Sequence, residues 1–106
     1  MNVDESTIQE IVRRILTVTK PEKVILFGSA ATGAMTSDSD VDLLVVELDP
    51  GDRQEKYVRI RRALRGMGFP FDIILISKEW FEESKDVIGG IAYPASKHGK
   101  VIYEAA

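Results

Sequence analysis

Cysteine is absent from all 106 residues. That excludes disulfides, zinc–thiolate centres and thiol nucleophiles, and it makes a cytoplasmic location the default expectation. No apolar run approaches bilayer-spanning length, so neither a membrane segment nor a signal peptide is expected. Histidine occurs once, as His98, in the polar stretch 96–100 near a predicted helix end, where a cation is favoured. It reads as a surface residue, not a catalytic one. A basic excess is also missing: 14 Lys and Arg face 17 Asp and Glu, a net charge of −3, which argues against broad nucleic-acid binding. Repeats and low-complexity tracts are lacking too. The remainder, 44% hydrophobic and 29% charged, is that of a soluble globular protein. The length suits one domain, residues 1–106, with room for a core but none for a second, acceptor-binding domain.

The richest stretch is residues 28–43. A short β-branched run, Val24-Ile25-Leu26-Phe27, precedes it, and Leu43-Leu44-Val45-Val46 follows, so it reads as a polar loop pinned between two buried strands. Gly28 and Ser29 at a strand end let a ligand approach the backbone. Ala30 and Ala31 can then start a helix whose free N–H groups attract an anion, most naturally phosphate. Asp40 and Asp42 stand two apart where the second strand begins, and the period of two aims both carboxylates at one face. Like charges held together call for a cation, and hard oxygen ligands suit magnesium or manganese. Asp38, Asp40 and Asp42 also match the first spacings of an EF-hand loop, but Leu43 occupies the obligatory glycine position and Asp49 that of the bidentate glutamate.

Gly28-Ser29, ten residues, then Asp40-Val41-Asp42 resembles the signature of the polymerase-β-like nucleotidyltransferase superfamily, most closely its minimal MNT-type branch. The Ser39 to Leu43 setting matches as well, and with a later carboxylate, Asp72, the resemblance spans roughly residues 5–103. It implies a metal-dependent enzyme that moves a nucleoside monophosphate, AMP from ATP, onto a hydroxyl. Gly28 and Ser29 would hold the triphosphate; Asp40, Asp42 and Asp72 would be the catalytic residues and the ligands of Mg2+ or Mn2+. It further implies an antitoxin whose acceptor is a tyrosine of a HEPT-type toxin partner. The alternatives are a non-catalytic partner-binding module and transfer to a small molecule. One position departs from the pattern: Thr32 stands where many members carry an arginine near the phosphates. Homo-oligomerisation is left open.

Along the chain, Ser6-Thr7-Ile8-Gln9 has capping-box form, and apolar residues at helical spacing predict a helix over 6–19, ended before Pro21. Strands are expected at 23–28, 41–48 and 71–76, and a final short one at 101–103. A helix over 53–65 should turn Tyr57, Ile60 and Leu64 inward and stop at Gly66. From 52 to 65, six basic residues against two acids leave a local balance of +4, either a solvated face or a docking surface. A third helix begins near Lys78, capped by Ser77, with Trp80, Phe81, Ile88 and Ile91 available for packing; Gly89-Gly90 interrupts it or forms a hinge. A last helical turn ends near Gly99. A right-handed crossover makes strands two and three parallel, so Asp72 starts its strand at the sheet edge where Asp40 and Asp42 start theirs. The expected fold is therefore α/β (α+β), in α-β-α-β-α-β order, with a small mixed sheet. The resemblance further implies that its first two strands are antiparallel, with the helices expected mainly on one side.

Overall fold

The computed structural model describes residues 3–32 and 39–106. Four strands form one mixed sheet in the order β3-β2-β1-β4, with β1 Lys23–Phe27, β2 Val41–Glu47, β3 Phe71–Ser77 and β4 Lys100–Glu104. β1 runs antiparallel to β2 and to β4, while β2 and β3 are parallel in an unbroken register from Val41↔Phe71 to Glu47↔Ser77. The connection between the parallel pair is α3, Arg53–Ala63, as the crossover requires. The mixed α/β architecture, with its antiparallel and parallel pairs, is the one the sequence predicts.

The side-chain period of two splits the apolar strands between two cores. Val24, Leu26, Val41, Leu43, Val45, Ile73 and Leu75 face α1, Glu5–Leu16, and α3, whose Ile8, Ile11, Ile15 and Ile60 complete the larger cluster. Ile25, Leu44, Val46 and Ile76 face the other way. They pack on Phe81 of α4, Lys78–Ser84, and on Ala95 of α5, Tyr93–His98. Helices therefore cover both faces, not mainly one. The reason is that alternate positions of β1, β2 and β3 are apolar on both sides and must be buried on both; a fully buried Leu or Ile contributes about 1.5–3 kcal/mol.

Element ends follow local chemistry. Asp4, not Ser6, caps α1: its Oδ1 accepts the Thr7 N–H at 2.8 Å, and the helix stops at Leu16. Asp52 caps α3 in the same way, accepting from the Glu55 N–H at 3.1 Å, and Gly66 beyond it has φ +87°. Tyr57 is half-buried while Ile60 and Leu64 are fully buried, as the spacing predicts. α4 is much shorter than a helix running to Gly89. It ends at Ser84, whose Oγ donates to the Trp80 carbonyl at 2.7 Å, a back-bond that loosens the helix there. As a result only Phe81 of the four expected packing residues is buried; Ile88 is 83% exposed, and Trp80 and Ile91 also reach solvent. Among the described residues no helix is long and apolar enough to cross a membrane.

Candidate active site

The antiparallel step from β1 to β2 and the parallel step from β2 to β3 bring three chain segments to one edge of the sheet. These are the end of β1 with Gly28, the start of β2 with Asp40 and Asp42, and the start of β3 with Asp72. Phe27 pairs with Asp42, and Asp42 pairs with Asp72 on the adjacent strand, about 4.8 Å away across the ladder. A carbonyl-to-amide bond holds the two strand starts level, with the Val41 N–H donating to the Pro70 carbonyl at 2.9 Å.

Gly28 closes β1 with φ +67°, a conformation that costs any L side chain. A second constraint is steric. A Cβ on Gly28 would lie 2.1 Å from Asp42 Oδ2 and 3.1 Å from its Cγ, so the absent side chain is the space that the Asp42 carboxylate occupies. Beyond Gly28 the chain turns into α2, Ser29–Thr32, with the Ala31 N–H donating to the Gly28 carbonyl at 3.2 Å. The short helix starts where Ser29-Ala30-Ala31 predicts it. Residues 33–38, including Asp38, lie outside the described residues.

The three aspartates differ in environment. Asp42 is half-buried, whereas Asp40 and Asp72 are exposed. Burial pushes the Asp42 carboxyl above the usual carboxylate range, and the Asp72 and Asp40 charges push it the same way. The three are therefore close enough to repel. They are not drawn into a ligand cluster: among the described residues no group of three His, Cys, Asp or Glu side chains is gathered as a metal site. The donor chemistry nonetheless fits a hard divalent ion, since three carboxylates from two strand starts carry only oxygen ligands and excess negative charge.

Two features of β2 escape a reading of the sequence alone. Gly28 makes room for Asp42, which becomes visible only when the β1–β2 register is known. The other is Glu47, the last residue of a strand expected to be almost wholly apolar, and only 4% exposed. Its Oε1 accepts from Thr19 Oγ1 and from Lys56 Nζ, each at 2.8 Å. The only sequence signal is a lysine on the inner side of the helix that follows. His98 lies on the surface, as expected from its polar surroundings.

Comparison with known proteins places this geometry. The model of the nucleotidyltransferase domain family matches residues 5–93. A crystal structure of a Sulfolobus solfataricus protein assigned as a nucleotidyltransferase shares 20% identity at a TM-score of 0.61, over 92% of this chain and 78% of that one. A toxin-antitoxin crystal structure with AMP-PNP shares 17% identity at a TM-score of 0.67, over 92% of this chain and 73% of the other. A MntA-HpeT toxin-antitoxin mutant, carrying two Asp-to-Glu changes two residues apart, shares 14% at 0.67 with the same coverage. Comparison with curated protein sequences finds no match. With a family match that takes in α1, the Gly28-Ser29 turn, all three aspartates and the sheet as far as β3, the chain belongs to the nucleotidyltransferase domain family.

Proposed function

We propose that this chain transfers AMP from ATP to a tyrosine hydroxyl of a HEPT-type toxin partner, and so acts as its antitoxin. The observation that carries the reading is the register: Asp42 opposite Asp72, with Asp40 two residues before Asp42, all at the sheet edge where Gly28 and Ser29 end β1. The solved toxin-antitoxin relatives support it, one with an ATP analogue and another altered at two acids two residues apart, the spacing of Asp40 and Asp42 here.

In this reading Gly28 and Ser29 receive the triphosphate at the turn into α2. Asp40, Asp42 and Asp72 would hold magnesium or manganese, which when bound supplies positive charge to the phosphates and to the leaving pyrophosphate. Asp72, exposed at the strand start, takes the proton of the incoming hydroxyl. The tyrosine oxygen forms a bond to the α-phosphorus, the bond from that phosphorus to the bridging oxygen breaks, and pyrophosphate leaves with the electron pair.

A second reading is a module that neutralises its partner by binding alone. Thr32 in place of the usual arginine favours it, as does the incomplete convergence of the three carboxylates. The two readings part in one experiment: chain, partner, magnesium and labelled ATP incubated together. Transfer adds the mass of AMP to a partner tyrosine, and Asp40→Asn with Asp42→Asn abolishes that gain while the complex still forms. Full neutralisation by the double variant, with no modification by the wild-type chain using any nucleotide, would establish the binding module instead.

A further inference from the structure

The start of β3 borders a second concavity, on the sheet face opposite the Asp72 side chain. It encloses about 250 Å³, and its lining includes Arg61, Leu64, Arg65, Phe69, Phe71 and Ile73. Its floor is apolar and part of the larger core: Leu64 and Ile73 are buried, and Phe69 and Phe71 meet edge to face at 6.4 Å and 74°. Its rim is cationic. Arg61, in the last turn of α3, and Arg65, just past its end, are exposed, and neither forms an ion pair among the described residues. The Arg61 guanidinium lies over the Tyr57 ring at 5.8 Å, and its Nη1 makes two long hydrogen bonds, 3.3 Å to Tyr57 Oη and 3.4 Å to the Phe71 carbonyl, which a charged acceptor would outcompete. The rim is also held in place, because Arg14 Nη1 donates to the Arg65 carbonyl at 2.8 Å and to the Ala63 carbonyl at 3.3 Å.

We infer that this cavity binds an amphiphilic carboxylate, an apolar or aromatic body seated on the half-buried Phe69 and Phe71, over the buried Leu64 and Ile73, with its carboxylate bridged by Arg61 and Arg65. A guanidinium fork matches a planar carboxylate, and the floor rewards an apolar body that inorganic phosphate lacks. The same chemistry arises in a free aromatic acid and in an acidic aromatic segment of a partner. Occupancy is felt at the active edge: the Pro70 carbonyl in the cavity wall accepts the N–H of Val41, which stands between Asp40 and Asp42, and Phe71 immediately precedes Asp72. The inference does not depend on nucleotidyl transfer, and its test contains neither nucleotide nor partner.

The test is titration of the isotope-labelled full chain, followed by amide NMR, with 3-phenylpropanoate, its neutral amide, inorganic phosphate and the peptide acetyl-Glu-Phe-Glu-amide. The acid should bind in the millimolar range and shift Gly66, Phe71 and Val41. The neutral amide and inorganic phosphate should each bind about tenfold more weakly or not at all. Tighter binding by the peptide than by the acid assigns the site to a partner segment, and the reverse assigns it to a free acid. Arg65→Gln, which removes a side chain that makes no ion pair among the described residues, should weaken the acid severalfold with the rest of the spectrum unchanged, and Arg61→Gln with Arg65→Gln should abolish binding. Equal binding of the acid and its amide, equal binding of phosphate, or an unchanged affinity in Arg65→Gln would overturn the assignment. Shifts at Gly66 and Phe71 with Val41 unmoved would overturn the link to the active edge.

Discussion

Strand β2 carries an acid near each end. Glu47, at one, is almost wholly buried and meets a hydroxyl and an ammonium, Thr19 and Lys56, at 2.8 Å each. Asp42, at the other, is half-buried and has for charged neighbours two more carboxylates, Asp72 and Asp40. Burial costs both groups. At Glu47 the fold answers that cost at one oxygen, Oε1, with its own residues from the loop after α1 and from α3, while Oε2 is buried with no hydrogen-bond partner among the described residues; the acid is held as part of the scaffold. At Asp42 the described residues supply no cation and the neighbours add to the penalty, so the two ends of the strand differ in whether the fold itself provides the counter-charge; on the proposed reading a bound metal provides it at Asp42.

The largest expected effect comes from breaking the end that carries its own cation. Lys56→Met leaves Glu47 buried without its cation, and the cost should be about 3 kcal/mol of unfolding free energy, the scale for orphaning one member of a buried pair. Urea denaturation at pH 7 measures it. Adding Glu47→Leu removes the stranded charge, so the double variant should regain most of the loss. A neutral Lys56→Met would mean that solvent already screens Glu47, and the contrast between the two ends would collapse.

The next effect tests whether Gly28 serves Asp42. Gly28→Ala should cost about 2 kcal/mol, part from the positive φ and part from the clash with the Asp42 carboxylate. With Asp42→Ala in the background the clash is gone, because the nearest remaining side-chain atom, the Cβ, stands 3.6 Å away at ordinary contact. The cost should then fall to about 1 kcal/mol, the backbone part alone. Identical costs in the two backgrounds would leave φ as the whole explanation, and Gly28 would have no part in seating the carboxylate.

This pairing also marks where the sequence stops being informative. Periodicity suffices for Ile60 and Leu64 on the inner side of α3 and for the three apolar strands, since burial on a helix or sheet imposes its own repeat. The crossover rule is enough to put Asp72 beside Asp42. Helix starts are less secure, because Asp4 and Ser6 both have capping side chains and only the backbone geometry selects Asp4. The end of α4 is hidden for a similar reason: Ser84 is an unremarkable helix residue until its hydroxyl bonds back to Trp80. Gly28 against Asp42 and Glu47 against Lys56 are contacts across register, 14 and 9 residues apart, and no local pattern encodes them. That Asp40, Asp42 and Asp72 meet at one sheet edge is legible from residue types and spacing; what each does to its neighbour is not.

The smallest effect is the most direct reading of the open end. Because the Asp42 carboxyl is raised by burial, then by Asp72 and Asp40, its ionised form is worse placed in the folded chain than in the unfolded one. The sign follows from linkage. Above the folded-state value the carboxylate is ionised in both states and the fold carries the full penalty. As the pH falls through that raised value, the folded chain takes up the proton first and regains stability, and the penalty is gone below the ordinary aspartate value. Asp42→Asn is free of the charge at every pH, so without metal it should be more stable than the wild-type chain at pH 7, by roughly 0.5 kcal/mol for a partly solvated group. The advantage should shrink to nothing as the pH approaches 4. Magnesium should narrow the gap at pH 7 by stabilising the wild-type chain alone, since a ligand that binds only the folded form raises its stability by mass action. Denaturation midpoints in EDTA and in magnesium, from pH 4 to 8, give both comparisons. A variant less stable than the wild-type chain at pH 7 in EDTA would show that Asp42 has a favourable partner after all, and the two ends of β2 would then be built alike.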